Sequence, residues 1–168
     1  MNAGDILKLF DQHALAAVAP LAVLSVGLTL VLLSGVAGAL RALRAPLVLT
    51  TLHAAANFTL RNFAAPPGLV LEGTFIADRA ASLWGLLFLA STGLAWLFSL
   101  HYYGEDKPFQ HEHDVLMLAT PVGMMLMAGA QNLIVFFIGL EILSIPLYAL
   151  AAFRRNRPRS VEAGLKYF

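Results

Sequence analysis

The 168-residue chain has no cysteine, which excludes disulfides, thiolate nucleophiles and any Cys-ligated zinc or iron–sulfur site within it. Charge is scarce as well: Asp, Glu, Lys and Arg together make up 12% of the residues against 59% apolar, and the mean hydropathy is +0.75. Ordinary globular domains carry about twice that charged fraction. A single soluble core cannot hide so much apolar surface, so the expected environment is a lipid bilayer. The net charge of +1 provides no field suited to nucleic acid or to steering an ionic substrate.

The apolar residues fall into runs of membrane-spanning length. Ala14 to Leu40 has no charge over 27 positions, where about 20 suffice to cross the hydrocarbon. Asp5, Lys8 and Asp11 precede it without the cationic lead-in of a cleavable signal, so this run reads as a retained span over 14–35. Ala45 to Leu60 is marginal by length. Its Thr50, His53 and Asn57, continued by Arg61, recur at i, i+3, i+7 and i+11, however, which places them on one helical face. That face is expected to point into the bundle and leave an apolar remainder for lipid. Residues 62–77, with Pro66, Pro67, Gly68 and Gly73, read as an extramembrane loop. Ala80 to Leu100 is a third span, with Trp84 and Trp96 each expected towards one membrane interface.

The connector from His101 to Asp114 reads as a solvated polar loop; the spacing of His101, His111 and His113 fits no specific zinc pattern, and no metal site is expected. Val115 to Phe153 holds one charge, Glu141, and is too long for one crossing, so two helices joined by a turn at Gly129–Asn132 are expected. After Arg154, Arg155, Arg157 and Arg159, Ser160 can cap a further helix, cut off at Phe168. Placing both arginine groups, Arg41/Arg44 and Arg154 to Arg159, on the cytoplasmic side requires an even number of crossings between them, and four agree with that bias and with an external N-terminus. The expectation is an all-α, polytopic transmembrane helix bundle of about five spans plus the start of a sixth, with the sequence itself incomplete.

Glu141 stands out chemically, because a carboxylate in mid-span costs at least a few kcal/mol unless something compensates for it. Ser144 and Tyr148 share its helical face, which should face the protein interior. Pro146 removes the donor for the carbonyl of Ile142. Lys166, on the next helix, lies roughly 9 Å away in depth by helical rise, within reach through one or two waters. Burial raises a carboxylic acid's pKa and lowers a lysine's, so such a pair can relay a proton. The alternatives are a protonated Glu141 acting only as packing glue and a Lys166 that snorkels to the interface. His53 reads as a supporting polar or packing residue. Met117, Met124, Met125 and Met127 read as packing filler, and Gly123 as a site of close helix contact.

The run GLEILSIPLYALAAF (139–153), the arginine-rich loop and SVEAGLKYF (160–168) resemble the antiporter-like membrane subunit N of bacterial NADH-quinone oxidoreductase, respiratory complex I. Leu-Ser-x-Pro-Leu-Tyr after the glutamate and the Glu-Ala-x-x-Lys-Tyr-Phe ending favour N over its sister subunits, the Mrp-type antiporter subunits among them. The resemblance implies a subunit in the bacterial inner membrane that couples electron transfer from NADH to quinone with proton translocation. Glu141 would match the family's essential glutamate and Lys166 the lysine of the next helix, as proton-relay residues. Residues 1–130 would supply transmembrane helices 1 to 4, and 131–168 the truncated start of the proton-conducting domain. No redox centre is expected in this chain, since NADH, FMN, iron–sulfur clusters and quinone would be bound by other subunits. Its partners would be other membrane-arm subunits and lipid. The family's central channel lysine would lie beyond Phe168. A subunit of an Mrp-type cation/proton antiporter and a non-pumping scaffold subunit are the rival readings.

Overall fold

The computed structural model describes residues 12–36, 38–102 and 110–168. The expectations for Asp5, Lys8 and Asp11, for the side chain of His101 and for connector residues 103–109 lie outside the described residues. The architecture is helical: α1 (Gln12–Val36), a 3-10 turn (Gly38–Leu43), α2 (Arg44–Ala64), α3 (Arg79–Tyr102), α4 (Gln110–Gly129), α5 (Leu133–Ala151) and α6 (Pro158–Tyr167). One antiparallel hairpin, β1 (Gly68–Val70) with β2 (Phe75–Ala77), interrupts them. Three helices, over Ala14–Val36, Arg79–Leu100 and Leu133–Ala151, are long and apolar enough to cross a membrane on their own. In α2 and α4 the apolar stretch is diluted by the Thr/His/Asn residues of the one and by Gln110–Asp114 at the start of the other.

The first four helices form the core, and α5 packs on the outer side of α4. Leu24 and Val31 of α1, Val48, Leu52 and Ala55 of α2, Leu89 and Trp96 of α3, and Leu118 and Met125 of α4 meet in one buried cluster. Gly123 of α4 meets α5 closely, as the sequence suggests: an added Cβ would stand 2.5 Å from the backbone nitrogen of Leu143 and 2.6 Å from the carbonyl oxygen of Gly139. Small residues at such a crossing let two backbones approach where lipid supplies no hydrophobic drive. Met127 fills the space over Gly139 and Met125 enters the core, the packing role expected of them. The α4–α5 turn also forms where length required it. Asn132 caps α5 by accepting a hydrogen bond from the backbone N–H of Val135 at 2.8 Å.

Proline within a membrane helix frees a carbonyl that lipid cannot satisfy. Pro121 leaves Met117 without its helical donor, and the hydroxyl of Thr120 donates to that carbonyl at 2.8 Å. Two further core hydroxyls behave alike: Thr51 donates to the carbonyl of Leu47 and Thr59 to that of Ala55. These three threonines then enter the core with their hydrogen bonds already made.

Four expectations need correction. Residues 62–77 are more than a loop: α2 continues through Asn62, whose amide donates to the carbonyl of Ala17 at 3.2 Å, and the chain then folds into the hairpin. Leu71, Glu72 and Gly73 take left-handed conformations at its tip, and Phe75 packs against Gly129 while the N–H of Gln131 donates to Thr74, tying the hairpin to the α4–α5 turn. Gln110–Asp114 forms the first turn of α4, not a solvated loop, because its side chains find buried partners. Trp96 is 1% exposed and lies in the core, while Trp84 is exposed; the indole of Trp96 donates to Asp114 at 3.0 Å, which competes with any interfacial water. Ser160 does not cap α6. Arg157 occupies that position with Pro158 beginning the helix, and the Ser160 hydroxyl instead donates to the carbonyl of Ala151 and accepts from the N–H of Arg154.

The end of the bundle opposite the hairpin is fastened by a buried charge. Asp114 is 1% exposed; its Oδ2 lies 3.2 Å from Arg44 Nη1, an ion pair without hydrogen-bond alignment, while its Oδ1 accepts from Trp96 and stands 3.4 Å from His113 Nδ1. Three helices therefore meet on one carboxylate. The His113 ring in turn contacts Phe153 edge-on at 5.3 Å, so the Arg44 and Arg154–Arg159 regions share one end of the bundle. His111, four residues ahead of the apolar part of α4, has its Nε2 buried without a hydrogen-bond partner. Burial first and the neighbouring Arg44 guanidinium second hold it below the usual histidine range. Asp114→Asn takes the counter-charge from the partly buried Arg44, whose side chain is 15% exposed, and is expected to cost about 3 kcal/mol, whereas Trp96→Phe removes one neutral donor at a cost of about 1–2 kcal/mol. Thermal unfolding of the purified full-length protein checks both, and equal midpoints for wild type and Asp114→Asn would contradict the assignment.

Candidate functional site

Glu141 is the ninth residue of the 19-residue α5, about 12 Å from its start and about 15 Å from its end by helical rise. It is the single charge between Leu133 and Ala151. Its placement along the helix is as the sequence indicates, but its direction is not: Glu141 is exposed on this chain and turned away from the core, among Ile138, Leu140 and Ile145, which are exposed too. The reason lies in α4, which takes the face of α5 carrying Gly139 because only there can the backbones close up. Ser144 is half-buried. Pro146 is buried within the helix, and unlike Met117, the carbonyl of Ile142 that it frees has no side-chain donor among the described residues.

Tyr148 organises the return of the chain. Its ring meets Tyr167 edge-on at 5.1 Å and Phe168 at 5.5 Å, and Gly164, the buried residue of α6, sits against Ala152. These contacts run α6 back along the end of α5. They place Lys166 near the level of residues 149–150, about 13 Å from Glu141 along the axis, somewhat further than the sequence spacing suggests. No ion pair joins Glu141 to Lys166 among the described residues. Instead the Lys166 ammonium lies 2.6 Å from Glu162 one helical turn earlier, with both side chains mostly exposed, a pair worth little in water.

His53 belongs to a different surface. Thr50, His53, Asn57 and Arg61 do share one face of α2, as their spacing requires, but that face is exposed, and the residues turned inwards are Val48, Thr51, Leu52, Ala55, Thr59 and Asn62. The expectation that His53 points into the bundle is therefore corrected. Both faces carry Thr and Asn at helical spacing. The inward one is chosen by Ala55 and Thr51, the latter packing directly on Gly27 of α1, and by the reach of Asn62 to Ala17. Thr50 and Asn57 satisfy themselves on the carbonyls of Pro46 and His53, and the Arg61 guanidinium sits 5.5 Å from the Phe58 ring centroid.

Sequence reasoning missed the Arg44–Asp114–Trp96–His113 cluster. The available signal was a charged HEHD segment placed directly against an apolar helix with no Gly or Pro between them. Among the described residues no group of three or more His, Asp or Glu is arranged to hold a metal ion.

Comparison with known proteins converges on the same C-terminal stretch. Residues 130–168, which include Glu141, Ser144, Tyr148 and Lys166, match the transmembrane family described as NADH:quinone oxidoreductase/Mrp antiporter. Among curated proteins, the chain is 40% identical over 103 residues to NADH-quinone oxidoreductase subunit N of Ruthia magnifica subsp. Calyptogena magnifica, covering 61% of this chain and 21% of that protein. It is 44% identical over 101 residues to subunit N of Granulibacter bethesdensis, covering 60% and 21%. The match to subunit N of Thiobacillus denitrificans is longer, 35% over 143 residues, covering 85% of this chain and 30% of the relative. The chain thus spans about a fifth to three-tenths of the length of these curated relatives. By these matches the chain is a relative of the antiporter-like subunit N of NADH-quinone oxidoreductases, and the resemblance carried by residues 139–168 holds.

Proposed function

We propose that the chain is part of a membrane-arm subunit of an NADH-quinone oxidoreductase of the bacterial inner membrane, in which electron transfer from NADH to quinone drives proton translocation. The observation that carries this reading is Glu141: one carboxyl group at mid-depth in an otherwise uncharged apolar helix, within the stretch that matches the antiporter-like family. Glu141 takes up and releases the proton, and Lys166 is its relay partner across the α5–α6 contact. At about 13 Å of separation the proton needs water, and the freed carbonyl of Ile142, one residue from Glu141, is a group that water can bridge. Tyr148 positions α6, and Ser144 supplies a hydroxyl on the same side of α5. Flavin, iron–sulfur and quinone chemistry belong to other subunits.

In this reading α1 to α5 are five crossings and α6 begins a sixth. Residues 1–130 form the N-terminal helices 1 to 4, and 131–168 begin the proton-conducting domain. The hairpin end faces outwards with the N-terminus, and the arginine-rich end faces the cytoplasm in accord with the positive-inside bias. A membrane-impermeant thiol reagent applied from outside is expected to label Gly68→Cys and to miss Asn156→Cys; labelling of both from one side removes the five-span count.

The function is tested by Glu141→Gln in the full-length subunit. The amide keeps the size and much of the hydrogen bonding of a protonated acid but has no proton to release. NADH-driven proton uptake into membrane vesicles should fall by about ten-fold or more, in line with losing a positioned acid–base group, while NADH oxidation by an artificial acceptor stays near wild type. Uptake at the wild-type rate would make Glu141 a packing residue and favour a scaffold role.

A further inference from the structure

Beneath the hairpin, where α2 ends and α3 begins, lies a cavity of about 20 Å³. Part of its wall is apolar, with Ala17 of α1, Phe75 of β2 and Met125 of α4. The rest is polar: Thr59 and Asn62 of α2 and Ser82 of α3 line it, and these residues are 1%, 8% and 4% exposed. The contact between the two helices is close here, since the Thr59 methyl lies against Gly85, three residues beyond Ser82. The hydrogen bonds of the three side chains are incomplete. The Thr59 hydroxyl donates to the carbonyl of Ala55, which leaves its oxygen able to accept. The Asn62 amide donates to the carbonyl of Ala17, but its side-chain oxygen accepts from nothing among the described residues, and the Ser82 hydroxyl has no partner among them. A buried donor and a buried acceptor left unmade cost more than the same bonds contribute when made.

We infer that this cavity binds one water molecule, which joins α2 to α3 beneath the hairpin. Its valences match the wall: it accepts the Ser82 proton and donates one of its own to Asn62 Oδ1 and the other to Thr59 Oγ1. Its size matches as well, because one water needs about 10–15 Å³, so the cavity holds one and has no room for a second. No charged residue lines the space to hold an ion, and cavities that stay dry are apolar throughout. In the orientation proposed above, the hairpin end faces outwards, so water reaches the site from the external surface. The site takes no part in the proton path through Glu141 and stands or falls apart from it.

Cryo-electron microscopy of the full-length subunit in its native complex, at a resolution that shows ordered water, should place one peak in the cavity, about 2.7–3.2 Å from both Ser82 Oγ and Asn62 Oδ1. A cavity with no peak, with two peaks, or with a peak bonded to neither group overturns the inference. Amide hydrogen exchange of the same complex, followed by mass spectrometry, reads what the water holds. Ile76 and Ala77 of β2 also line the cavity. Ser82→Ala removes the donor without filling the space, and amides 75–77 should then exchange about five-fold faster, the equivalent of one net hydrogen bond, while residues 133–151 exchange as in the wild type. Unchanged exchange at 75–77, or an equal rise in both segments, overturns the joining role.

Discussion

A single buried carboxylate fastens the core of this protein. Asp114 opens α4 with an ion pair to Arg44 at the start of α2 and accepts the indole proton of Trp96 near the end of α3. Asp114 could not be buried alone, because without Arg44 it would be an unpaired ion whose solvation loss far exceeds a hydrogen bond. The pair therefore fixes register: three helices whose apolar surfaces would slide past one another in lipid are held at one level. The hairpin does the complementary work at the other end, through Phe75 on Gly129 and Thr74 on Gln131. Held at both ends, α4 presents Gly123 to α5 at the depth where Gly139 can meet it.

That crossing decides which way Glu141 faces. With Gly139 turned to α4, helical geometry sends Glu141 outwards, away from the four-helix core. Both in-helix prolines of α4 and α5 free a carbonyl, yet only the one in α4 is answered, by Thr120. In α5 the carbonyl freed by Pro146 is that of Ile142, the residue next to Glu141.

Much of this was legible in the residues. The length of the run from Val115 to Phe153 called for two helices, the turn formed at residues 130–132, Gly123 marked the close contact, and an isolated glutamate in an apolar span marked the candidate site. Periodicity showed that Thr50, His53 and Asn57 share a face, but not where the face points. In water an apolar stripe turns inwards; in a membrane both the inward and the lipid-facing sides are apolar, so spacing alone loses its sign. The row Val48, Thr51, Leu52, Ala55, Thr59, Asn62 has equally good helical spacing and packs better. The Asp114 cluster was hidden for another reason: its partners are 18 and 70 residues away in sequence, and a charged segment next to an apolar helix looks the same whether it is solvated or paired.

The central claim is that Glu141 changes its protonation during turnover, and infrared difference spectroscopy of the complete complex reads that directly. Reduction by NADH should produce a change in the carbonyl stretch of a protonated carboxylic acid that is present in the wild type and missing in Glu141→Gln. The same band, undiminished in the variant, would contradict the account and assign the proton to another group.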